Sequence, residues 1–547
     1  MNFIYMELEK KYNYLIKRIE RLNNISLSLS RETDINVIFE LILEEAKYIT
    51  NADGRTLYMK NDNEMTMDFE ILHNDSMKLY KGGSSSEKVD FPSVLLFDKD
   101  GEPNLKNVNT YVAHTGKTLK IDDAYKENGF DFSGTIEIDK KMGYHSKTFL
   151  SVPLKNHEND TIGVMQLINS INKENGEIQP FSLEMKELVE SVASQAAVAL
   201  TNKKLVFDLN NLFESFIKLI AGAIDEKSPY TGGHCERVPE IAMSIANAMS
   251  KNNEGKYKDF SLSEDEIYEL YIASWLHDCG KVVTPVHIVD KSKKLETITD
   301  RIEVVNTRFE VLKRDLEIEM LKKQLQLERK KISKDEIRKI ELEFKHSINK
   351  LNLQNIFLKK INFGTEFMEL ADKKKVEEIG KQQWSLNGKK VPLLNKLDIK
   401  NLQISKGTLL PEERKIINKH IEITIDMLEK LPYPKKLKNV PEFAGGHHEK
   451  INGKGYPKGL TGDEMSVQAK IMAISDIFEA LTAKDRPYKK GKTLSEAMNI
   501  LNEMKNNNEI DKDIFYIFVK KGVYKKYAKK YLDKDQLDLV DEAVLLA

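Results

Sequence analysis

The apolar positions along this 547-residue chain change their period twice. Residues 1–28 show a charged helical pattern, and from about residue 35 to 205 helical stretches alternate with short apolar runs. One of these, "KTFLSVPLKNHENDTIGVMQLINSI" from residue 147, predicts two strands around a polar turn. After residue 205 helical spacing prevails. We therefore predict a multidomain protein with an N-terminal helix (1–28), an α+β domain (29–204) and an all-α domain (205–547).

A narrow apolar stripe follows the α+β domain. Its members alternate between spacings of four and three residues: Leu205, Leu209, Leu212, Phe216 and Leu219. This spacing is typical of the seam of a two-stranded coiled coil and predicts a parallel homodimer. A helix packed on its own domain is the alternative, because the stripe covers only about two heptads, where three or four are needed to identify a coiled coil.

A Lys- and Glu-rich insert, from about residue 295 to 405, interrupts the all-α domain. Two stripes in it have helical spacing, the first at Ile302, Val305, Phe309, Leu312 and Leu316, the second at Ile337, Ile340, Phe344, Ile348 and Leu351. "SKDE" at 333–336 matches a capping box at the start of the second helix. The pattern predicts an antiparallel helical hairpin with its charges in solvent, and an arm that binds a partner is the alternative.

Composition narrows the range of partners. Lys and Arg (85) nearly balance Asp and Glu (86), so the charge gives no reason to expect a nucleic-acid polymer or a membrane as partner. The only two cysteines, Cys235 and Cys279, exclude a disulfide framework. No apolar run approaches the roughly 20 residues of a membrane-spanning helix. We expect a cytoplasmic protein.

Seven side chains in the all-α domain have the chemistry of metal ligands. Helical phase places three histidines and one aspartate on apolar stripes, where a carboxylate is costly without a compensating cation. An aspartate follows one of these histidines directly, and two further histidines are adjacent. The set is His234, His277, Asp278, His420, His447, His448 and Asp476. One inward histidine is more often an ordinary core residue, but the combination favours a polynuclear metal site.

The donor types indicate which metal and what chemistry. Neutral imidazoles with carboxylates suit iron or manganese in two-metal hydrolytic sites, and Asp278 is the candidate bridging ligand. Zinc is less favoured because the donors exceed a tetrahedral set and no CxxC pair is present. In "HHEKINGKGYP" (447–457) a glycine-rich turn leaves two consecutive histidines free to reach neighbouring ions, and Tyr456 offers a flat face to a base.

Two motifs connect this region with a known family. "HDCGK" (277–281) and "HHEKINGKGYP" are the paired signatures of the HD-GYP phosphodiesterases of cyclic di-GMP, which the chain resembles over about 240 residues without the insert. Residues 29–204 resemble a GAF sensor domain, which implies an unidentified small-molecule ligand. The HD-GYP resemblance implies two divalent ions, iron or manganese, held by the seven residues named above. It also implies a catalytic role for Asp278 and Lys281, and substrate contacts by Lys281, Tyr456, Arg486 and Lys489.

The expected function is metal-dependent hydrolysis of a cyclic dinucleotide, cyclic di-GMP in the first place, to a linear dinucleotide or GMP under control of the GAF-like domain. Three features depart from the family: Asn452 replaces the usual aspartate, Tyr230 stands where members with a third metal carry glutamate, and the insert is long. A non-catalytic signalling dimer that binds the nucleotide, a phosphodiesterase that prefers cyclic GMP-AMP, and a general HD-type nucleotidase remain alternatives.

Overall fold

The computed structural model describes the chain except residues 1–11, 13–15, 17–19, 21–22, 30, 33, 62, 86, 228–231, 330–333, 365–366 and 485–490. The chain divides into two compact units, residues 1–212 and 213–547. The predicted fold class is confirmed, since an α/β domain precedes a largely helical one. Most of the N-terminal helix predicted over 1–28 lies outside the described residues, although residues 23–29 are helical.

The first unit contains an antiparallel sheet of eight strands. The strands are β1 (Ala52–Asn61), β2 (Thr66–Asn74), β3 (Leu79–Gly82), β4 (Val94–Leu95), β5 (Leu119–Ile121), β6 (Phe149–Lys155), β7 (Thr161–Ile171) and β8 (Ile178–Gln179). The central path of the sheet runs β3-β2-β1-β7-β6-β5, with β4 paired to β2 and β8 to β7. The two strands predicted around the polar turn are therefore β6 and β7, which pair directly.

Helices cover both faces of this sheet. One face packs on α1 (Ile35–Thr50) and on the first part of the long helix α4 (Leu183–Lys227), through buried residues such as Leu57, Leu167 and Val192. The other face meets α2 (Val108–Thr115) and α3 (Ser133–Met142). Strand alternation produces this division, because Leu150 and Val152 point to the first face while Phe149 points to the second.

The helices of the second unit surround one large core. α5 shows how the sequence builds it, since Val238, Ile241 and Ile245 lie at helical spacing and are buried. The elements outside the insert are α5 (His234–Ser250), α6 (Glu264–Leu276), a 3-10 helix (Cys279–Val283), α7 (Val286–Val289), α12 (Pro411–Asn418), α13 (His420–Leu428), a second 3-10 helix (Lys435–Leu437), α14 (Val440–Gly445), α15 (Val467–Thr482), α16 (Leu494–Asn506), α17 (Lys512–Lys520), α18 (Val523–Tyr531) and α19 (Glu542–Leu546).

The insert has a core of its own. It contains the helical hairpin α8 (Ile302–Arg329) and α9 (Lys334–Asn362), followed by α10 (Leu370–Gly380), the two-stranded hairpin β9 (Gln383–Leu386) and β10 (Lys389–Pro392), and α11 (Lys396–Leu402). The hairpin of helices matches the two stripes in the sequence, whereas the elements after it were not predicted. Its two ends meet, because Thr408 Oγ1 donates a hydrogen bond to the backbone oxygen of Lys291 at 2.7 Å.

None of the helices in the described part of the chain has the combination of length and hydropathy needed to cross a bilayer.

Candidate metal centre

The structure brings the seven predicted ligands together from five helical elements. They come from the start of α5, the turn after α6, the start of α13, the turn after α14, and the middle of α15: His234, His277, Asp278, His420, His447, His448 and Asp476. Their donor atoms form overlapping groups within 4.8 Å of one another: His234 with His277 and Asp476, His277 with Asp278 and His447, and His420 with His447 and His448.

The carboxylate of Asp278 lies between two sets of imidazoles. Its Oδ2 is 3.3 Å from Nε2 of His234 and 3.4 Å from Nε2 of His277, while its Oδ1 is 3.2 Å from Nε2 of His420. On the first side Asp476 also approaches, with Oδ1 3.3 Å from Nε2 of His234. Each set of imidazoles therefore faces a different oxygen of the same carboxylate.

A glycine allows this convergence. Gly280 follows the His277-Asp278 pair, and a Cβ atom there would lie 2.0 Å from the backbone oxygen of His420. Only glycine therefore lets the turn pack against the start of α13. The contact is fixed by a hydrogen bond from the Gly280 N–H to Oγ1 of Thr424 at 2.9 Å. Asp278 and His420 are neighbours in space for this reason, although the insert separates them in sequence.

Backbone carbonyls orient three of the imidazoles. Nδ1 of His277 lies 2.8 Å from the oxygen of Ser274, and Nδ1 of His447 lies 2.6 Å from that of Ala444. His420 makes the same contact three residues back, to Ile417. A carbonyl can only accept, so Nδ1 carries the proton and Nε2 presents its lone pair to the centre.

Several candidate metal-ligand atoms in the centre lack a hydrogen-bond partner. Among the described residues these include Nε2 of His420, Nε2 of His447 and Oδ1 of Asp278, all fully buried. A buried polar atom without a partner is costly, and a bound cation would satisfy all three. The residues present therefore fit divalent metal ions.

The ionisation of the centre agrees with metal binding. Burial lowers the pKa of His448 to about 4 and places that of His447 well below its usual value, so both imidazoles are neutral near pH 7. Burial alone would raise the pKa of Asp278, but Lys281 and His277 hold it well below its usual range. Burial would likewise lower the pKa of His234, yet Glu479 and the two aspartates raise it. Neutral imidazoles at His447 and His448 and an ionised carboxylate at Asp278 are the protonation states that metal ligands require.

The predicted substrate contacts have different outcomes. The ammonium of Lys281 contacts Oδ2 of Asp278, and Tyr456 stacks on His448. Arg486 and Lys489 lie outside the described residues, as does Tyr230. Asn452 is not a ligand in this arrangement, because its amide donates to the backbone oxygen of Asn507 at 3.1 Å and accepts from the N–H of Lys454.

Two buried acids near the centre, Glu479 and Glu449, were not predicted from the sequence. Glu479 lies one turn after Asp476 on α15, accepts a hydrogen bond from Nδ1 of His234, and accepts another from Nε of Arg237 at 2.6 Å. Glu449 follows the paired histidines and accepts from the backbone N–H groups of residues 458–460, which holds the glycine-rich loop. The i, i+3 spacing places Glu479 on the same face of α15 as Asp476, and this was the sequence signal that could have identified it.

Comparison with known proteins identifies two domains. The chain matches the GAF domain family over residues 34–200 and the HD domain family over residues 397–514. It is 37% identical over 111 residues to a 3′3′-cGAMP-specific phosphodiesterase of Vibrio cholerae, covering 20% of this chain and 23% of the relative. It is 40% identical over 97 residues to a cyclic di-GMP phosphodiesterase of Pseudomonas aeruginosa, covering 18% and 23%. The matches thus span less than a quarter of the length of these two relatives.

A solved structure also aligns with part of the chain. The GAF domain of an Acinetobacter phosphoenolpyruvate-protein phosphotransferase aligns with 13% identity and a TM-score of 0.25, covering 35% of this chain and 96% of that one.

Proposed function

We propose that this chain, in which a GAF domain precedes an HD domain, is a metal-dependent phosphodiesterase that hydrolyses a cyclic dinucleotide. One observation carries the proposal above all. Asp278 directs one carboxylate oxygen toward His420 and the other toward His234 and His277, while Nε2 of His420 and the Asp278 oxygen facing it have no hydrogen-bond partner. A pair of divalent ions accounts for this geometry.

The donor set limits the choice of metal. Five imidazoles and two carboxylates favour iron or manganese over magnesium, which prefers oxygen ligands, and over a closed tetrahedral zinc site. Such ions supply Lewis acidity toward a phosphodiester and a water acidic enough to attack it near neutral pH.

The residues of the chain supply the remaining functions. The ammonium of Lys281 contacts Oδ2 of the buried Asp278, while 26% of the lysine side chain is exposed, so this side chain extends from the surface to the centre. There it can neutralise charge that develops on the equatorial oxygens of the phosphorus. Tyr456, held against His448, offers a stacking surface for a nucleobase beside the reacting phosphodiester. Arg486 and Lys489 remain proposed substrate contacts on the strength of the sequence resemblance alone.

The test is a substrate panel on protein reconstituted with Fe²⁺ or Mn²⁺. Cyclic di-GMP, cyclic GMP-AMP and linear pGpG are incubated with the wild type and with His277→Ala and Asp278→Ala, and products are separated by chromatography. We expect the cyclic substrates to be opened by the wild type only. Nucleotide binding without turnover in metal-loaded wild type would instead identify a non-catalytic signalling protein. The ratio of kcat/KM values would decide between the two cyclic dinucleotides.

The first unit supports regulation by a small molecule. A cavity of about 540 Å³ lies between its sheet and the α2–α3 face. Its floor carries neutral polar side chains, Thr56 and Gln166, and Gln166 donates to Oδ1 of Asn109 at 2.9 Å. The lining also carries charged side chains of both signs, among them Arg55, Asp131 and Lys141. We propose that a small polar ligand binds there. The test measures the thermal shift that cyclic mononucleotides cause in the wild type and in Gln166→Leu. We expect a smaller shift in the variant.

The long helix supports a homodimer. The five apolar residues of the predicted seam lie on α4, and between 52% and 67% of each is exposed. The stripe also extends backwards by the same spacing to Asn202 and to Val198, which is 49% exposed, so it covers three heptads. Asn202 then occupies a seam position where asparagine favours a parallel pair. We propose that two copies pair through this stripe.

A further inference from the structure

The last turn of α4 contacts two segments that carry candidate metal ligands. Asp225 Oδ2 accepts a hydrogen bond from the backbone N–H of Cys235 at 3.0 Å. The ammonium of Lys227 donates to three backbone oxygens, at 3.1 Å to Lys281, at 2.8 Å to Thr284 and also to Val282. The first contact lies beside His234, and the second lies on the turn that follows the His277-Asp278 pair.

Asp225 supplies a cap that α5 lacks locally. α5 begins at His234, and its N-cap residue Gly233 makes no side-chain capping bond. The first N–H groups of a helix need acceptors from outside the helix, and a carboxylate there also interacts favourably with the helix dipole. Asp225, only 6% exposed, provides both from another helix. The position of His234 is therefore tied to the end of α4.

Lys227 has the converse role at the 3-10 helix Cys279–Val283. The last carbonyl groups of a helix are left without partners inside it, and a cation beside them is favourable. Lys227 donates to the carbonyl of Lys281 itself and to those of Val282 and Thr284, which follow it. Within that turn the N–H of Lys281 also donates to the oxygen of Asp278 at 2.9 Å. Lys227 thus stabilises the backbone turn from which the Lys281 side chain extends.

We propose that Asp225 and Lys227 are positioning residues through which α4 sets the geometry of the metal centre. The negative charge of Asp225 lies at the start of α5, and the positive charge of Lys227 lies at the end of the 3-10 helix Cys279–Val283. Each charge therefore interacts favourably with the dipole of the helix that it contacts. A shift of the end of α4 would move the His234 segment and the Lys281 turn together. The kinetic part of this inference rests on the proposed phosphodiesterase function, whereas the structural part does not.

The test compares Lys227→Met, which keeps the aliphatic stem, with Lys227→Arg, which keeps the donors. Glu226→Gln, on the exposed neighbouring residue, is the control. In full-length protein loaded with Mn²⁺, we expect Lys227→Met to lower kcat about 10-fold or more with KM changed less than about 2-fold, the range typical of groups that orient catalytic residues. Lys227→Arg should recover most of the loss, and the control should match the wild type.

Hydrogen exchange gives a readout independent of activity. Peptides covering residues 279–286 should exchange faster in Lys227→Met than in the wild type, and peptides at the start of α5 should do so in Asp225→Asn. Unchanged exchange in these segments would overturn the inference. If the variants show the predicted exchange differences but the wild type turns over no cyclic dinucleotide, the proposed function is refuted and the positioning role stands. Equal loss of kcat in Lys227→Met and Lys227→Arg would count against positioning by hydrogen bonds.

Discussion

The imidazole of His448 and the phenol ring of Tyr456 are stacked, with centroids 4.8 Å apart and 21° between their planes. The glycine-rich loop folds back to make this contact, and the N–H of Tyr456 donates to the oxygen of His448 at 3.3 Å. Gly455 permits the fold, because a Cβ atom there would lie 2.3 Å from the backbone nitrogen of Lys450. The ring of Tyr456, a candidate surface for a nucleobase, therefore packs directly on His448, a candidate metal ligand.

Replacing Tyr456 by alanine should weaken substrate binding. Stacking of a base on an aromatic ring contributes about 1–3 kcal/mol, so KM should rise from several-fold to about 100-fold. Tyr456→Phe keeps the ring and should change KM far less. Steady-state kinetics of both variants on a cyclic dinucleotide provide the measurement. Equal effects of the two substitutions would show that the hydroxyl group, and not the ring, is what matters.

Glu479 should control metal affinity through His234. Its carboxylate accepts from Nδ1 of His234 and is itself paired with Arg237. Partners of this kind fix the orientation and basicity of a ligating imidazole, and removing one commonly costs 10- to 100-fold in metal affinity. We expect Glu479→Gln to bind Mn²⁺ about 10- to 100-fold more weakly by titration calorimetry. Glu240→Gln, which lies on α5 but pairs with Lys530, is the control. The same affinity in both variants would contradict this role.

The buried Lys294 should make stability depend on pH in the alkaline range. Its ammonium donates to the backbone oxygen of Ile404 at 2.8 Å, and burial lowers its pKa from 10.5 to about 8. Between these two values the folded chain has released a proton that the unfolded chain still binds, so stability rises with pH. The melting temperature of the wild type relative to Lys294→Met should increase by roughly a few °C from pH 8 to pH 10. A difference that does not vary with pH would refute the shift.

The insert should be removable without loss of the metal centre. Its ends meet at Lys291 and Thr408, and it has a separate core. A variant in which a short Gly-Ser linker replaces residues 292–407 should lose only the helix content of the removed segment and should keep its Mn²⁺ stoichiometry. Deletion of residues 303–360 alone should be worse tolerated, because Val376 and Leu393 would lose the α8–α9 hairpin as their packing partner. Circular dichroism and metal analysis compare the two, and a metal-free product of the longer deletion would contradict the expectation.

A charge in the seam of α4 should prevent pairing of two copies. Leu209→Lys places an ammonium on a side chain that is 65% exposed in the single chain and buried in the proposed dimer. Light scattering on the full-length variant should give the mass of a monomer. Asn210→Lys, one position outside the stripe, should remain dimeric. A dimeric Leu209→Lys protein would place the interface elsewhere.

The candidate ligands could be predicted because each left a local signal. His234, His420 and Asp476 share helical phase with apolar residues, and His447 and His448 are adjacent. Glu479 was missed because its partner His234 lies 245 residues away, and Lys227 was missed because the oxygen of Thr284 lies 57 residues away. Periodicity reports which face of a helix is buried, but not which charged group it will meet there.

The insert shows the same limit for the fold. The stripes at Ile302 and Ile337 correctly predicted the long helices α8 and α9, whose apolar faces repeat over many turns. The hairpin of β9 and β10 and the short helices around it contain four to eleven residues each. Such segments hold too few periods to define a pattern, and they are stabilised by tertiary contacts instead.

The meeting of the insert's ends at Lys291 and Thr408 also bears on how the metal centre assembles during folding. His277 and His420 are 143 positions apart in the sequence, and a flexible loop of that length would impose an entropic cost on bringing them together. An insert that folds around its own core shortens the effective loop to the 14 positions from His277 to Lys291 and the 12 positions from Thr408 to His420. We therefore expect the two halves of the site to assemble at nearly the rate of a chain without the insert.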